Sequence, residues 1–123
     1  MRGILTNDDT QIVFVDTPGL HRPKTSLGGR LNSAARAAFE DVDVFVAVIE
    51  AGASIGAGDK MVLTALLETC RKANGPRPIV VVNKIDRSAK ATVAAQLMAV
   101  VSTLETLAAE HDRRDAFANL CRS

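Results

Sequence analysis

Asp16-Thr17-Pro18-Gly19 follows the apolar run Ile12–Val15, and Asn83-Lys84-Ile85-Asp86 follows the apolar run Ile79–Val82. A carboxylate at the end of a strand, such as Asp16, is held rigidly enough to orient the water shell of Mg²⁺, a cation that keeps several waters and takes few protein ligands. Gly19 offers a backbone N–H that approaches a terminal phosphate closely, because no side chain blocks it. A segment anchored at Asp16 and free beyond Gly19 can order when that phosphate is present and relax when it leaves. The second tetrapeptide suits a base. An Asp86 carboxylate accepts two N–H bonds from the edge of guanine, whereas adenine lacks the 2-amino group and leaves the carboxylate unpaired. Asn83 can tie neighbouring loops together and contact the base, and the aliphatic stem of Lys84 can cover the purine ring.

Each tetrapeptide alone is also what an ordinary turn uses: Pro18-Gly19 makes a turn, and Asn-Lys-Ile-Asp links a strand to a helix. Together they are far more specific. Both follow apolar strands, in the order a guanine-nucleotide domain needs, with one strand-loop-helix unit between them.

The elements that would position them are legible along the chain. "RGILT" and "QIVFVD" are β-rich and "NDDT" supplies a turn, so a hairpin is expected over residues 2–16. Residues 27–40 are Ala-rich and predict a helix, weakened at its start by Gly28-Gly29. "VDVFVAVIE" is a continuous apolar run of strand length, the pattern of a parallel strand buried on both faces. A glycine loop follows, and Asp59 is placed to cap a helix with Leu63, Leu66, Leu67 and Cys70 on one face. Asn74-Gly75-Pro76 ends that helix. "PIVVVNKID" is a second continuous strand, and Ser88 opens a long helix with a core stripe of Leu97, Val100, Val101, Leu104, Leu107 and Ala108. The charged stretch from Glu110 onward loses that periodicity, and residues 111–123 are left as an unassigned tail.

Strands alternating with helices predict an α/β fold in three layers, with a mostly parallel sheet and one antiparallel hairpin. Ligands of such sheets bind at the carboxyl ends of the strands, where both tetrapeptides fall.

Composition permits this and excludes little else. The 123 residues suit one domain; 47% are hydrophobic and 24% charged, which argues against disorder. With four Phe and no Trp or Tyr, the core is built from Val, Leu, Ile and Ala. A net charge of +1 gives no global pull toward nucleic acid or membrane. Cys70 and Cys121 lack metal-ligand spacing, so a buried thiol and an incidental one are expected. No uninterrupted apolar run reaches the ~18 residues of a bilayer span, and Met1-Arg2-Gly3 does not open a signal peptide. The expectation is a cytoplasmic protein with no integral membrane segment, peripheral membrane contact staying open.

The pair DTPG and NKID, with the run Gly19-Leu20-His21-Arg22-Pro23, resembles the Era-type bacterial GTPases, in the translation-factor-like branch of the Ras-type superfamily. The resemblance covers roughly residues 2 to 100. It implies a P-loop-GTPase-like fold, GTP/GDP and Mg²⁺ as ligands, and small-subunit rRNA and the ribosomal subunit as partners. It also implies that Asp16, Thr17, Pro18 and Gly19 form the switch sensing Mg²⁺ and the γ-phosphate, and that Asn83, Lys84 and Asp86 recognise guanine. Ras-type enzymes follow this glycine with a Gln that orients the attacking water. Leu20 stands there instead and cannot hydrogen-bond a water, so slow unassisted hydrolysis is expected.

The family's phosphate-binding loop, Gly-x-x-x-x-Gly-Lys-(Ser/Thr), has no match in these residues. "GASIGAGDK", Gly52 to Lys60, has glycines but follows the wrong strand and lacks Gly-Lys-(Ser/Thr). The Mg²⁺-binding Thr of the first switch, the Ser-Ala loop beneath the base, the first strand and the RNA-binding KH domain of the family are not matched either. The expectation is a partial Era-type G domain over residues 1–123. Two other readings stay open: a non-catalytic remnant with little nucleotide affinity, and an interaction module using the basic loop His21, Arg22 and Lys24.

Overall fold

The computed structural model describes residues 2–16, 39 and 41–120, with side chains through Ala116. The fold is mixed α/β. A hairpin comes first: β1 (Arg2–Thr6) pairs antiparallel with β2 (Gln11–Val15), in the register Arg2↔Val15 to Thr6↔Gln11. Asn7 and Thr10 exchange backbone hydrogen bonds of 2.8 and 3.4 Å, so the chain reverses at Asp8-Asp9 as the turn residues predict. Every described hairpin residue is exposed, Ile4, Val13 and Phe14 included.

The second unit is a strand-helix-strand crossover. β3 (Val44–Glu50) and β4 (Arg77–Asn83) pair in parallel, joined through α1 (Ala57–Cys70), the connection a parallel pair requires. A 3₁₀ turn (Ile85–Arg87) then leads into α2 (Lys90–Leu120). Among the described residues the strands form two separate two-stranded sheets, β1–β2 and β3–β4.

β3 alternates strictly. Phe45, Ala47 and Ile49 are buried under the helices, while Val44, Val46 and Val48 are exposed on the other face. The continuous apolar run thus reads as a strand, but among the described residues only one of its faces is covered. β4 behaves alike: Val80 and Val82 pack inward and Ile79 and Val81 stay exposed. Arg77 N–H donates to Asp43 O on the β3 side, so Pro78 turns its missing donor toward the open edge, where a strand tolerates proline.

Two apolar clusters hold this unit together. Phe39, Phe45, Ala47 and Leu66 form one, with the two Phe rings tilted at 50° and 4.5 Å between centroids. Ring pairs at such separations attract edge-to-face. Ile49, Leu63 and Val100 form the other, flanked by Ile55, Val80, Val82, Leu104 and Leu107. The predicted face of α1 is the observed one: Leu63 and Leu66 are buried, and Leu67 and Cys70 half-buried. Asp59 serves its first turn by accepting from the Gly56 N–H at 3.0 Å, half of a capping box, since the cap residue Gly56 has no side chain to return the bond. The exit from α1 is tight. Asn74 takes the left-handed conformation (φ 62°), and a Cβ on Gly75 would lie 2.5 Å from Thr69 O and 2.8 Å from Cys70 O.

The predicted stripe on α2 is narrower than its sequence suggests. Val100 is buried and Leu104, Leu107 and Ala108 half-buried, but Leu97 and Val101 are about half exposed. They point off the side that meets β3–β4, and no described element covers them. α2 also runs on through the charged stretch expected to be irregular, with Arg71 paired to Asp112 at 2.7 Å across from the end of α1. Its span Lys90–Ala116 is long and apolar enough, on average, to cross a membrane, a property it shares with core helices of globular folds. Val100, Leu104 and Leu107 nonetheless make one side of it a core face. The predicted helix over residues 27–40 lies outside the described residues except for Phe39, which is helical and buried.

Candidate nucleotide-binding site

The parallel register brings Glu50, the last residue of β3, alongside Asn83, the last residue of β4. Ala51 N–H extends the ladder by donating to Asn83 O at 2.8 Å. By strand alternation Glu50 and Asn83 share the face carrying Val48 and Val81, away from the helices. The chain then turns sharply. Lys84 is left-handed (φ 60°, ψ 36°), a conformation uncommon for a residue with a side chain. Its carbonyl accepts from Arg87 N–H at 3.2 Å, and Ile85 O accepts from Ser88 N–H at 3.3 Å. The turn carries Asp86, which is exposed together with Asn83 and Lys84.

The structure therefore brings Asn83, Lys84 and Asp86 together at the carboxyl end of β4, on one strand end and the single turn that follows. The loop after β3 lies against that turn. Gly52 is in the positive-φ region (82°), which strains any other residue there, and a Cβ would stand 2.7 Å from Ser88 Oγ, so the Ser88 hydroxyl would have to turn away. Lys84 Nζ pairs with Glu50 Oε2 at 3.1 Å. Gln96, buried on α2, donates its Nε2 to Glu50 O at 3.5 Å. The surface so formed is exposed and polar, carrying the Glu50 and Asp86 carboxylates, the Asn83 amide and the Lys84 stem.

Glu50 is absent from the sequence-derived set. One signal was available: it closes "VDVFVAVIE" as Asp16 and Asn83 close their own strands, and residues at that position border the site of a parallel sheet.

Asp16 stands, exposed, at the end of β2 in the other sheet. Thr17, Pro18 and Gly19 lie outside the described residues, as do Leu20, His21, Arg22, Lys24 and Cys121. An exposed strand-end carboxylate fits Mg²⁺ held through its water shell, which needs one or two carboxylates and otherwise relies on phosphate oxygens. It does not make a protein-only metal cage, and among the described residues no three His, Cys, Asp or Glu side chains cluster as ligands. "GASIGAGDK" is the β3–α1 loop and first turn of α1, with Gly56 as helix cap. Cys70 is free and half-buried, and burial pushes its thiol above the ordinary range.

Comparison with known proteins bears on the same segments. Residues 1–84 match the family described as 50S ribosome-binding GTPase. The chain is 48% identical over 113 residues to GTPase Era of Mycobacterium tuberculosis and to that of Mycobacterium bovis, covering 89% of this chain and 36% of each relative. It is 46% identical over 100 residues to GTPase Era of Mycobacterium avium, covering 81% of this chain and 32% of that protein. The chain thus spans about a third of the length of the curated relatives it matches. No solved structure gives a significant match. With the family matched from the hairpin through Asn83-Lys84, and with these relatives, the chain belongs to the 50S ribosome-binding GTPase family and is of the Era type.

Proposed function

We propose that this chain carries the guanine-recognition element and part of the switch of an Era-type GTPase that binds GTP and GDP with Mg²⁺. The observation that supports it best is the placement of Asn83, Lys84 and Asp86 together at the carboxyl end of a parallel strand, beside the end of its partner. Asp86 accepts the paired N–H groups of guanine, Lys84 covers the ring with its stem, and Asn83 ties the turn to the loop after β3. Asp16 orients the water shell of Mg²⁺, and Thr17, Pro18 and Gly19 form the segment that responds to the γ-phosphate. Leu20 leaves the attacking water without a side-chain partner, so turnover relies on another group. In the complete switch the hairpin and the β3–β4 unit belong to one three-layer sheet. The likeness to Era, and not the family description with its 50S subunit, supports a cytoplasmic role on the small ribosomal subunit and its rRNA.

The proposed base contacts all fall among the described residues, so guanine recognition is the part to test directly. Amide chemical shifts of the 123-residue chain are followed while GDP or ADP is added. GDP is expected to move the signals of Asn83 to Asp86, ADP is not, and Asp86→Asn is expected to abolish the GDP response while the remaining spectrum is unchanged. Equal responses to GDP and ADP would refute guanine recognition.

A further inference from the structure

The Lys84 side chain is pinned from outside the tetrapeptide that it belongs to. Its ammonium meets Glu50 Oε2 at 3.1 Å although both side chains are about half exposed, so burial does not force the pairing. The backbone carrying that carboxylate is fixed by three elements. Glu50 ends β3, it is in register with Asn83 of β4, and its carbonyl accepts from Gln96 of α2. Ala51 N–H bonds Asn83 O immediately beyond it. Lys84 in turn has a backbone restricted to the left-handed region. An unpaired lysine samples many rotamers, whereas one anchored at both ends of its four-carbon stem keeps that stem along a single path.

We propose that Glu50 is a positioning residue for the guanine site, holding the Lys84 ammonium so that the lysine stem stays across the ends of β3 and β4 as one wall for the purine. The proposal rests on the guanine reading above. Glu50 itself touches no part of the nucleotide; its effect passes wholly through Lys84. The effect is therefore absent when Lys84 has no stem. Because the pair is exposed, the effect also falls as salt screens it.

Guanosine is the probe, since an uncharged ligand removes direct repulsion between Glu50 and phosphate. Its affinity is measured by amide-shift titration on the full chain, for the wild type, Glu50→Gln, Lys84→Ala and the double variant. Glu50→Gln is expected to weaken guanosine binding roughly two- to fivefold at low salt, the range of an exposed ion pair. The loss shrinks in ~0.5 M salt, where the Debye length falls toward a few ångströms. In the Lys84→Ala background the same change has no further effect. Glu50→Asp, which keeps the charge, recovers part of the affinity. Unchanged binding in Glu50→Gln, or an equal loss in both backgrounds, overturns the positioning role while leaving guanine recognition in place. A wild-type chain that moves no signal at Asn83 to Asp86 overturns guanine recognition itself, and this proposal with it.

Discussion

The hairpin and the β3–β4 crossover are built from nearly interchangeable sequence, "QIVFV" against "VFVAVI", yet they end in different states. In β3 every second residue is buried, down to 1% exposure at Ala47 and Ile49. In β2 the apolar residues Ile12 to Val15 remain 43 to 57% exposed. The strands do not explain the difference; their connections do. A parallel pair is reachable only through a long crossover, and here that crossover is a helix that arrives already attached and covers one face. The antiparallel hairpin closes through Asp8-Asp9 and brings no helix with it, so among the described residues no layer covers its apolar side chains. A two-stranded ribbon on its own is marginal in water. The stability of the described residues therefore resides in β3, α1, β4 and α2.

The largest test of this contrast is Leu63→Ala. Leu63 is fully buried between Ile49 and Val100, and truncating such a residue costs about 2–5 kcal/mol through lost transfer energy plus a cavity. Urea unfolding followed by circular dichroism should show a clear drop in midpoint at constant slope. The matching change in the other region, Phe14→Ala, should shift the same midpoint by less than about 0.5 kcal/mol, the usual range for an exposed site. A loss at Phe14 comparable with that at Leu63 would mean that the hairpin is covered in solution and would erase the contrast. The smallest effect is expected at Cys70. Burial raises its thiol from 9.0 in the folded chain, so the protein binds that proton more tightly folded than unfolded. Its stabilising contribution is complete below about pH 9 and declines as pH rises above it. Cys70→Ser should flatten the alkaline limb of the stability profile slightly, whereas an unchanged limb would remove Cys70 from the buried unit.

The sequence reads well where a local rule and the tertiary outcome agree. The hairpin needed only two β-rich runs and a turn, the α1 face only its Leu63–Leu66–Cys70 spacing, and the Asn83–Asp86 turn only its place after a strand. It reads less well where the outcome depends on something beyond the segment. Val44, Val46 and Val48 are as apolar as Phe45 and Ile49, so the pattern alone could not tell the bare face from the covered one. Leu97 and Val101 match the helical period as well as Val100 and Leu104 do; only the direction from which β3–β4 approaches separates them. α2 outlasts its apolar stripe, and beyond it Asp112 pairs with Arg71 across the gap, a pairing invisible to periodicity. Glu50 was missed because its partner is 34 positions away, closed by the parallel register and not by the sequence around it.

That register has a bearing on which length changes the protein can absorb. Glu50 faces Asn83 because Phe45, Ala47 and Ile49 all sit on the helix side at once. Sliding β4 by one residue along β3 would turn Val80 and Val82 outward, carry Asn83 to the helix side and pull Lys84 away from Glu50. The apolar core is thus a length standard for the polar end of the molecule: an Asn83–Asp86 turn displaced by one position announces itself as a destabilised fold. An extra residue inside either strand cannot leave this alignment intact.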